Sequence, residues 1–132
     1  MMPLTDSNGA DLNKMVIVLV DRNGVIQYWS EGAEAAFGFP ASDAAGQDLD
    51  LIVPAEYRQD HWKGFHRAVE AGSAFLDGKV VPFPVQMASG GQVTTPGRLM
   101  LIRCPRGQVI GAVVAFDAFS AEPQRPLGDV ER

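Results

Sequence analysis

The stretch Asp21-Arg22-Asn23-Gly24-Val25-Ile26-Gln27-Tyr28-Trp29-Ser30-Glu31-Gly32-Ala33-Glu34-Ala35-Ala36-Phe37-Gly38-Phe39 combines a tight turn, a strand and a short helix. An apolar, β-branched run of strand length precedes it, and Asn-Gly at the centre of the turn is typical of a β-hairpin. Ser30 is a preferred N-cap residue, two glutamates suit the first helical turn, and Gly38 ends the helix. The stretch therefore predicts strands at residues 15–20 and 25–29 and a helix at residues 31–37.

A longer helix is predicted at residues 56–72. Trp62, Phe65 and Val69 have the spacing of an apolar helical stripe, and Gly72 is typical of the position just after a helix. The segment also contains both histidines of the chain, His61 and His66. On a helical wheel they lie on the two margins of this stripe.

Two short helical turns, near residue 42 and at residues 49–53, are predicted between the first helix and the long one. After the long helix, extended runs separated by turn glycines predict three strands at residues 79–87, 92–104 and 108–116. Because the helices are grouped between two sets of strands, the order indicates an α+β fold class with an antiparallel sheet.

The composition is that of one globular domain. The chain has 132 residues, 46% of them hydrophobic, and a formal net charge of −5, so a cationic surface for nucleic acid is not expected. Cys104 is the single cysteine and cannot form an internal disulfide, and the sequence has neither a signal peptide nor a long apolar run. We expect a soluble, cytoplasmic protein with no membrane span and no direct contact with nucleic acid.

Both ends of the chain are polar and lack a sustained apolar period. Residues 1–13 are predicted to be a flexible N-terminal segment. Residues 120–132 contain two prolines and a glycine, which exclude a long amphipathic helix and predict a flexible C-terminal tail. The folded domain is therefore expected at residues 14–119.

Five short motifs follow one another between residues 21 and 61. They are Asp21-Arg-Asn-Gly-Val-Ile26, Trp29-Ser-Glu-Gly-Ala-Glu-Ala-Ala-Phe-Gly-Phe39, Ala44-Ala-Gly-Gln-Asp-Leu49, Ile52-Val-Pro54 and Arg58-Gln-Asp-His61. On these residues the chain resembles the PAS family over roughly residues 16–117. The resemblance implies the PAS fold, in which a five-stranded antiparallel sheet carries several short helices and one longer helix on one face.

The resemblance also implies a role in signal transduction. A PAS domain of this kind is a sensor that binds a small apolar ligand or a partner protein and signals by association. Apolar runs at residues 99–102 and 113–116 lack clean alternation, which suggests that both faces of the sheet are partly covered. We therefore expect protein–protein interaction, as a homodimer or with a separate signalling protein.

A haem-based gas or redox sensor is the main alternative. Arg58-Gln-Asp-His61 resembles the Arg-x-x-His segment of haem-binding PAS sensors, which implies His61 as the proximal ligand of haem b and as a metal ligand only in that case. Arg67 resembles a basic residue that pairs with a haem propionate. At the positions of the distal residues, however, this chain has Lys79 and Val81, which depart from the methionine or arginine of those sensors.

A candidate ligand pocket follows from the same resemblance, in the gap between the sheet and the long helix. Its proposed cofactor-binding residues are His61, Phe65, Arg67, Lys79, Leu99 and Leu101. Val18, Ile52 and Leu76 are further apolar candidates, and Met87 and Met100 are alternative iron ligands. The identity of the ligand stays open, because apolar residues suit many molecules.

Three other chemistries are not favoured by the sequence. Flavin photoreceptors of the family carry Asn-Cys-Arg on the long helix, whereas the cysteine here is on a late strand. Two histidines and one distant cysteine do not make a zinc site. A small α+β enzyme would need a pair such as Asp60 and His61 to act on one substrate. Adjacent residues on a helix point about 100° apart, so these two side chains cannot easily share a substrate. Asp77 is the only other acid expected near the pocket. We therefore expect no enzymatic activity.

Overall fold

The computed structural model describes residues 12–116. Within this range the strands are β1 (Val16–Asp21), β2 (Ile26–Trp29), β3 (Val80–Gln86), β4 (Gln92–Arg103) and β5 (Val109–Phe116). The helices are α1 (Glu31–Phe37), α2 (Ala41–Ala44) and α3 (Arg58–Ala71), with 3₁₀ turns at Leu12–Lys14, Leu49–Leu51 and Ala55–Tyr57. The predicted long helix is thus divided into a 3₁₀ turn and α3.

The strands form one five-stranded sheet in the order β2-β1-β5-β4-β3, and every neighbouring pair is antiparallel. The first and last strands, β1 and β5, pair with each other in the middle of the sheet. This architecture confirms the predicted α+β fold class and the five-stranded antiparallel sheet. No helix within residues 12–116 is long and apolar enough to cross a membrane.

The hydrophobic core lies between the helices and one face of the sheet, which we call the inner face. Val16, Val18 and Val20 of β1 alternate with half-buried neighbours, as expected for a strand with one face in the core. Phe37 of α1 lies 5.2 Å, centroid to centroid, from the Phe116 ring of β5. The ring of Trp29 lies 5.8 Å from the same Phe37 ring, so aromatic packing fixes α1 on the sheet.

The turn between β1 and β2 is a hairpin, but its centre differs from the predicted Asn-Gly pair. The amide of Gly24 donates to the carbonyl of Asp21 at 2.9 Å, so Arg22 and Asn23 are the central residues. Gly24 follows them with a φ of 79°, and no non-glycine residue within 12–116 has a positive φ. The Asp21 carboxylate stabilises the turn by accepting from the amides of Asn23 and Val25.

Ser30 caps α1 as predicted and also joins it to the sheet. Its hydroxyl oxygen accepts from the amide of Ala33 at 3.1 Å and from the amide of Ile17 at 2.9 Å. Gly38 and Gly72 end α1 and α3 in the left-handed conformation, again as predicted.

The predicted flexible ends fall mostly outside the described residues. Leu12 and Asn13, which we assigned to the N-terminal segment, form part of a 3₁₀ turn. The Asn13 carboxamide oxygen accepts from the Tyr28 hydroxyl at 3.0 Å and from the Glu31 amide at 3.2 Å. Residues 1–11 and the tail at 120–132 lie beyond the described range.

Candidate functional site

A cavity of about 620 Å³ lies between α3 and the inner face of the sheet. Its sheet side is apolar and is formed by residues from β1, β3, β4 and β5, among them Val18, Phe83, Leu101, Val114 and Phe116. This volume is within the range of small-molecule sites. The cavity is therefore large enough for an organic ligand and apolar on the side of the sheet.

Small residues on α3 leave the space for this cavity. His61, Gly64, Phe65, Ala68 and Ala71 line it, at the spacing of one helical face, and none of the 14 residues of α3 is fully buried. A Cβ added at Gly64 would meet no heavy atom within 4 Å. This face of α3 was not predicted, although three small residues at helical spacing, Gly64, Ala68 and Ala71, are its signal in the sequence.

The predicted apolar stripe of α3 is rotated relative to the cavity. Only Phe65 of that stripe lines the cavity. Trp62 lies instead against the β1–β2 turn, where a Cβ on Gly24 would collide with the indole ring. The indole Nε1 donates to the Asp50 carboxylate at 2.7 Å. This anchor sets the rotation of α3 and turns the preceding residue, His61, toward the cavity.

Arg58 fixes the beginning of α3. Its Nε donates to the carbonyl of Val53 at 2.8 Å, and its Nη2 donates to the carbonyl of Asp50 at 3.1 Å. Both carbonyls belong to the segment just before the helix. The arginine of the Arg-x-x-His motif therefore has a structural role next to the cavity.

His61 is a half-buried residue of the cavity wall. Its ring stacks on Phe65 with centroids 6.1 Å apart, and its Nδ1 is buried without a hydrogen-bond partner among the described residues. Burial lowers the pKa of His61, with a smaller lowering by His66, while Asp50 and Asp48 oppose the shift. The imidazole is consequently neutral near neutral pH and has one unused ring nitrogen.

His66 has a different environment, although it lies on the same helix. It is exposed, does not line the cavity, and stacks on the Trp62 ring with centroids 5.8 Å apart. Arg67 is also exposed but lies at the cavity wall, and it makes no ion pair or hydrogen bond with residues 12–116. Asp60, likewise exposed, adds a carboxylate to the same wall.

Most of the candidate pocket residues lie together around the cavity. His61, Phe65, Arg67, Leu99 and Leu101 all line the cavity, as do the further apolar candidates Val18, Ile52 and Leu76.

Lys79, the sixth candidate pocket residue, lies outside the cavity lining. It precedes β3, and its ammonium lies 4.9 Å from the centre of the Phe75 ring. Val81 and Met87 are also outside the lining. Met100 is on the opposite, outer face of the sheet, since it alternates along β4 with the cavity residues Leu99 and Leu101.

The segment after α3 covers one side of the cavity. Ser73, Ala74, Phe75 and Leu76 all line it, and Phe75 is 84% exposed. The next residue, Asp77, holds this segment to β4.

Asp77 makes its contacts with both carboxylate oxygens. One oxygen accepts from the Leu101 amide at 3.0 Å, and the other accepts from Arg103 Nη2 at 3.1 Å. The hydrogen bond from Leu101 lowers the pKa of Asp77, and Arg103 contributes in the same direction. Arg103 also donates to the carbonyl of Gly72. Asp77 is therefore engaged in a structural contact at the position where the sequence suggested an acid near the pocket.

Candidate groups for metal and thiol chemistry can be located in the same range. Residues 12–116 contain no group of three or more His, Cys, Asp or Glu side chains placed to hold a metal ion. Cys104 is a free, half-buried cysteine that directly follows β4. It does not line the cavity.

Comparison with known proteins gives a consistent assignment. A family model described as PAS fold matches residues 13–118. The oxygen sensor protein DosP of Escherichia coli (strain K12) is 23% identical over 103 residues, which cover 71% of this chain and 13% of DosP. The chain thus spans only a small part of that relative.

Two solved structures show the same fold. The PAS domain of a protein from Colwellia psychrerythraea matches with a TM-score of 0.66 at 19% identity, over 83% of this chain and 89% of that chain. The PAS domain of the quorum-sensing receptor RpfR from Cronobacter turicensis, in complex with BDSF, matches with a TM-score of 0.62 at 18% identity. That match covers 81% of this chain and 95% of the RpfR chain.

Proposed function

This chain belongs to the PAS family, and from that premise we propose that it is a sensory domain that binds a small, largely apolar molecule between α3 and the sheet. The observation that carries this proposal is the cavity of about 620 Å³, whose sheet side is apolar and whose helix side includes His61. A preformed apolar cavity with few polar groups is typical of ligand sites. The RpfR domain, which has the same fold, is described in complex with BDSF.

We propose further that the signal leaves through the outer face of the sheet. Residues of β5 alternate between the two faces: Ala112, Val114 and Phe116 line the cavity, whereas Val113 and Ala115 face outward. Exposed apolar side chains on that outer face include Tyr28 and Met100. A ligand that pushes on β5 thus acts on the same strand that a second copy or a separate signalling protein would contact.

Native mass spectrometry of the purified chain tests the ligand proposal. We expect an added mass that dissociates as an organic molecule when the collision energy is raised. Ala68→Leu, which places a larger side chain in the cavity, should reduce the fraction of the protein that carries this mass, and Ala35→Leu on the exposed side of α1 should leave that fraction unchanged. A chain that carries no added mass, and that takes up none from a cell extract, would count against ligand sensing.

A haem-based sensor is a second candidate, supported by two observations. His61 lies in the cavity wall with a neutral imidazole, which is the form that can ligate iron, and DosP is named an oxygen sensor protein. Haem bound there would supply an iron that coordinates small gases. His61 would hold the iron, and Arg67 at the wall would face a propionate.

The lining residues from the sheet, among them Leu99 and Leu101, include no methionine, lysine or arginine. The sheet would therefore offer no side-chain ligand or hydrogen-bond donor to a haem held by His61. The test is the visible spectrum of the protein from haem-supplemented cells. A Soret band that disappears in His61→Ala and persists in His66→Ala supports this function, and its absence from the unaltered protein excludes it.

A further inference from the structure

We propose that residues 73–76 form a lid over the cavity, which opens about Gly72 and Gly78 to admit the ligand and is held closed by the contact between Asp77 and Arg103. The lid rests on the ligand-binding function proposed above and adds the route by which a ligand enters and leaves. Three features of this segment support it: its low burial, the two glycines that bound it, and the contacts of Asp77.

No side chain of the lid belongs to the hydrophobic core. Residues 73–76 line the cavity but are exposed or half-buried, and Phe75 is 84% exposed. The part of the wall that precedes α3 is different, because Ile52 is buried and its carbonyl accepts from the Gln86 amide at 2.8 Å. The lid can therefore move without removing a side chain from the core, and segments with few buried contacts open at a low free energy.

Two glycines bound the lid and Asp77. Gly72 ends α3 with a φ of 75°, and Gly78 has a φ of 80°. A Cβ added at either position would meet no heavy atom within 4 Å, so neither glycine is required by lack of space. Both supply a left-handed backbone conformation, which glycine adopts and leaves at little cost. They are therefore suited to be the pivots of the lid, since hinge residues absorb large changes in backbone angle.

The two pivots are fixed to β4, whereas the segment between them is held by a single side chain. The amide of Gly78 donates to a carbonyl of β4 at 2.7 Å, and Nη2 of Arg103 donates to the carbonyl of Gly72 at 3.0 Å. Among the described residues, the hydrogen bonds that join residues 73–77 to β4 are made by the Asp77 carboxylate. Loss of these contacts frees the lid while both of its ends stay in place.

Asp77 takes the place of a strand beside Leu101. β3 pairs with β4 only from Val80, which lies opposite Arg98, and the Leu101 amide beyond this point donates to the Asp77 carboxylate at 3.0 Å. The ion pair between Asp77 and Arg103 is partly exposed, with side-chain exposures of 25% and 37%. Partly exposed ion pairs are weak, so this contact can break and re-form in the folded protein. An open lid gives access to the cavity next to Leu101.

Stopped-flow fluorescence of the full chain with N-phenyl-1-naphthylamine, an uncharged apolar probe, measures how fast the cavity fills. Weaker binding in Ala68→Leu locates the probe in the cavity. We expect the observed rate to level off at high probe concentration, because the opening of the lid then limits entry. Asp77→Asn, which removes the ion pair with Arg103, should raise this limiting rate about two- to fivefold. Asp77→Ala, which also removes the acceptor for the Leu101 amide, should raise it further.

The dissociation constant of the probe should change less than these rates, since a looser lid accelerates entry and release together. Glu31→Gln is the matched control. It removes one negative charge and the ion pair with Lys14 at 3.4 Å, and neither of these residues lines the cavity. It should leave the limiting rate unchanged.

Hydrogen exchange of the unaltered protein tests the lid without a variant and without a ligand. The Leu101 amide should exchange through local opening, at a rate that low concentrations of urea do not change. The Val18 amide is the comparison, because β1 pairs with a strand on each side. Its exchange should require global unfolding and should accelerate with urea.

Each contrary outcome identifies what is wrong. A rate that does not level off, that is equal in the unaltered protein and both Asp77 variants, or that Glu31→Gln raises as much, overturns the lid while ligand binding stands. Exchange of the Leu101 amide only through global unfolding does the same. If the purified chain carries another molecule and does not bind the probe, the release of that molecule, followed by native mass spectrometry, replaces the probe in the same comparison. If the chain binds neither, the sensory function fails and the lid fails with it.

Discussion

Two adjacent residues of α3, His61 and Trp62, point in different directions and have different roles. Trp62 donates to Asp50 and packs on the β1–β2 turn, whereas His61 lines the cavity. Adjacent residues on a helix point about 100° apart, so anchoring one of them determines the direction of the other. The direction in which His61 points therefore depends on the packing of the Trp62 indole against Gly24.

Gly24→Ala tests that dependence. Gly24 has a φ of 79°, and an added Cβ would collide with the Trp62 ring. We expect the substitution to lower the free energy of unfolding by about 2–4 kcal/mol, from backbone strain and from overpacking together. Urea denaturation measures the loss. Gly46→Ala is the control, because Gly46 has a φ of 89° with no heavy atom within 4 Å of its Cβ position. Equal losses of stability in the two variants would show that the contact with Trp62 does not contribute to the effect of Gly24→Ala.

At the scale of elements, α3 covers the sheet without filling the space beneath it. Ala68→Leu should place additional carbon atoms in the cavity. Burial of this added surface is expected to raise the free energy of unfolding of the ligand-free protein by about 1–2 kcal/mol. Ala35→Leu, at an exposed position of α1, should change it much less. A loss of stability in Ala68→Leu, with none in Ala35→Leu, would mean that the space is too narrow for a larger side chain.

The segment at residues 73–76 is held over the cavity by Asp77, and this contact should depend on pH. The pKa of Asp77 is lowered in the folded protein, so its contribution to stability is present above its usual pKa and is lost as the pH falls through the folded value. Asp77→Asn should therefore be less stable than the unaltered protein near neutral pH. The difference should shrink as the pH falls below about 4.

Denaturation curves across the acidic range, with Asp43→Asn as the control for loss of an exposed carboxylate, measure this effect. A difference that is constant with pH would show that the carboxylate charge is not what holds the segment.

The predictable parts of this fold are those set by local sequence. The strand β1, the Ser30 cap and the glycines after α1 and α3 depend on a few neighbouring residues, and the predictions for them are confirmed. The rotation of α3 could not be predicted in the same way, because it depends on Trp62 meeting Gly24 and Asp50, which are distant in the chain. Lys79 lies outside the cavity lining, and β3 begins at the next residue, Val80.

At the scale of the whole molecule, the sheet connects two surfaces. Its inner face lines the cavity and its outer face carries half-buried Ile17, Leu19 and Val113 beside the more exposed Tyr28 and Met100. An apolar patch of this kind on a small domain is typical of an interaction surface. Because the two surfaces are opposite sides of the same strands, occupancy of the cavity can change the fit of a partner.

Met100→Glu tests association through this outer face. We expect the unaltered chain to form a homodimer at micromolar concentration, and a buried, unpaired carboxylate at the interface would oppose that dimer. Light scattering coupled to size-exclusion chromatography should give a mass near two subunits for the unaltered chain and near one for Met100→Glu. Tyr57→Glu, an exposed aromatic position on the 3₁₀ turn before α3, is the control and should leave the dimer intact. A mass of one subunit for the unaltered chain would rule out the homodimer and leave a separate signalling protein as the partner of this face.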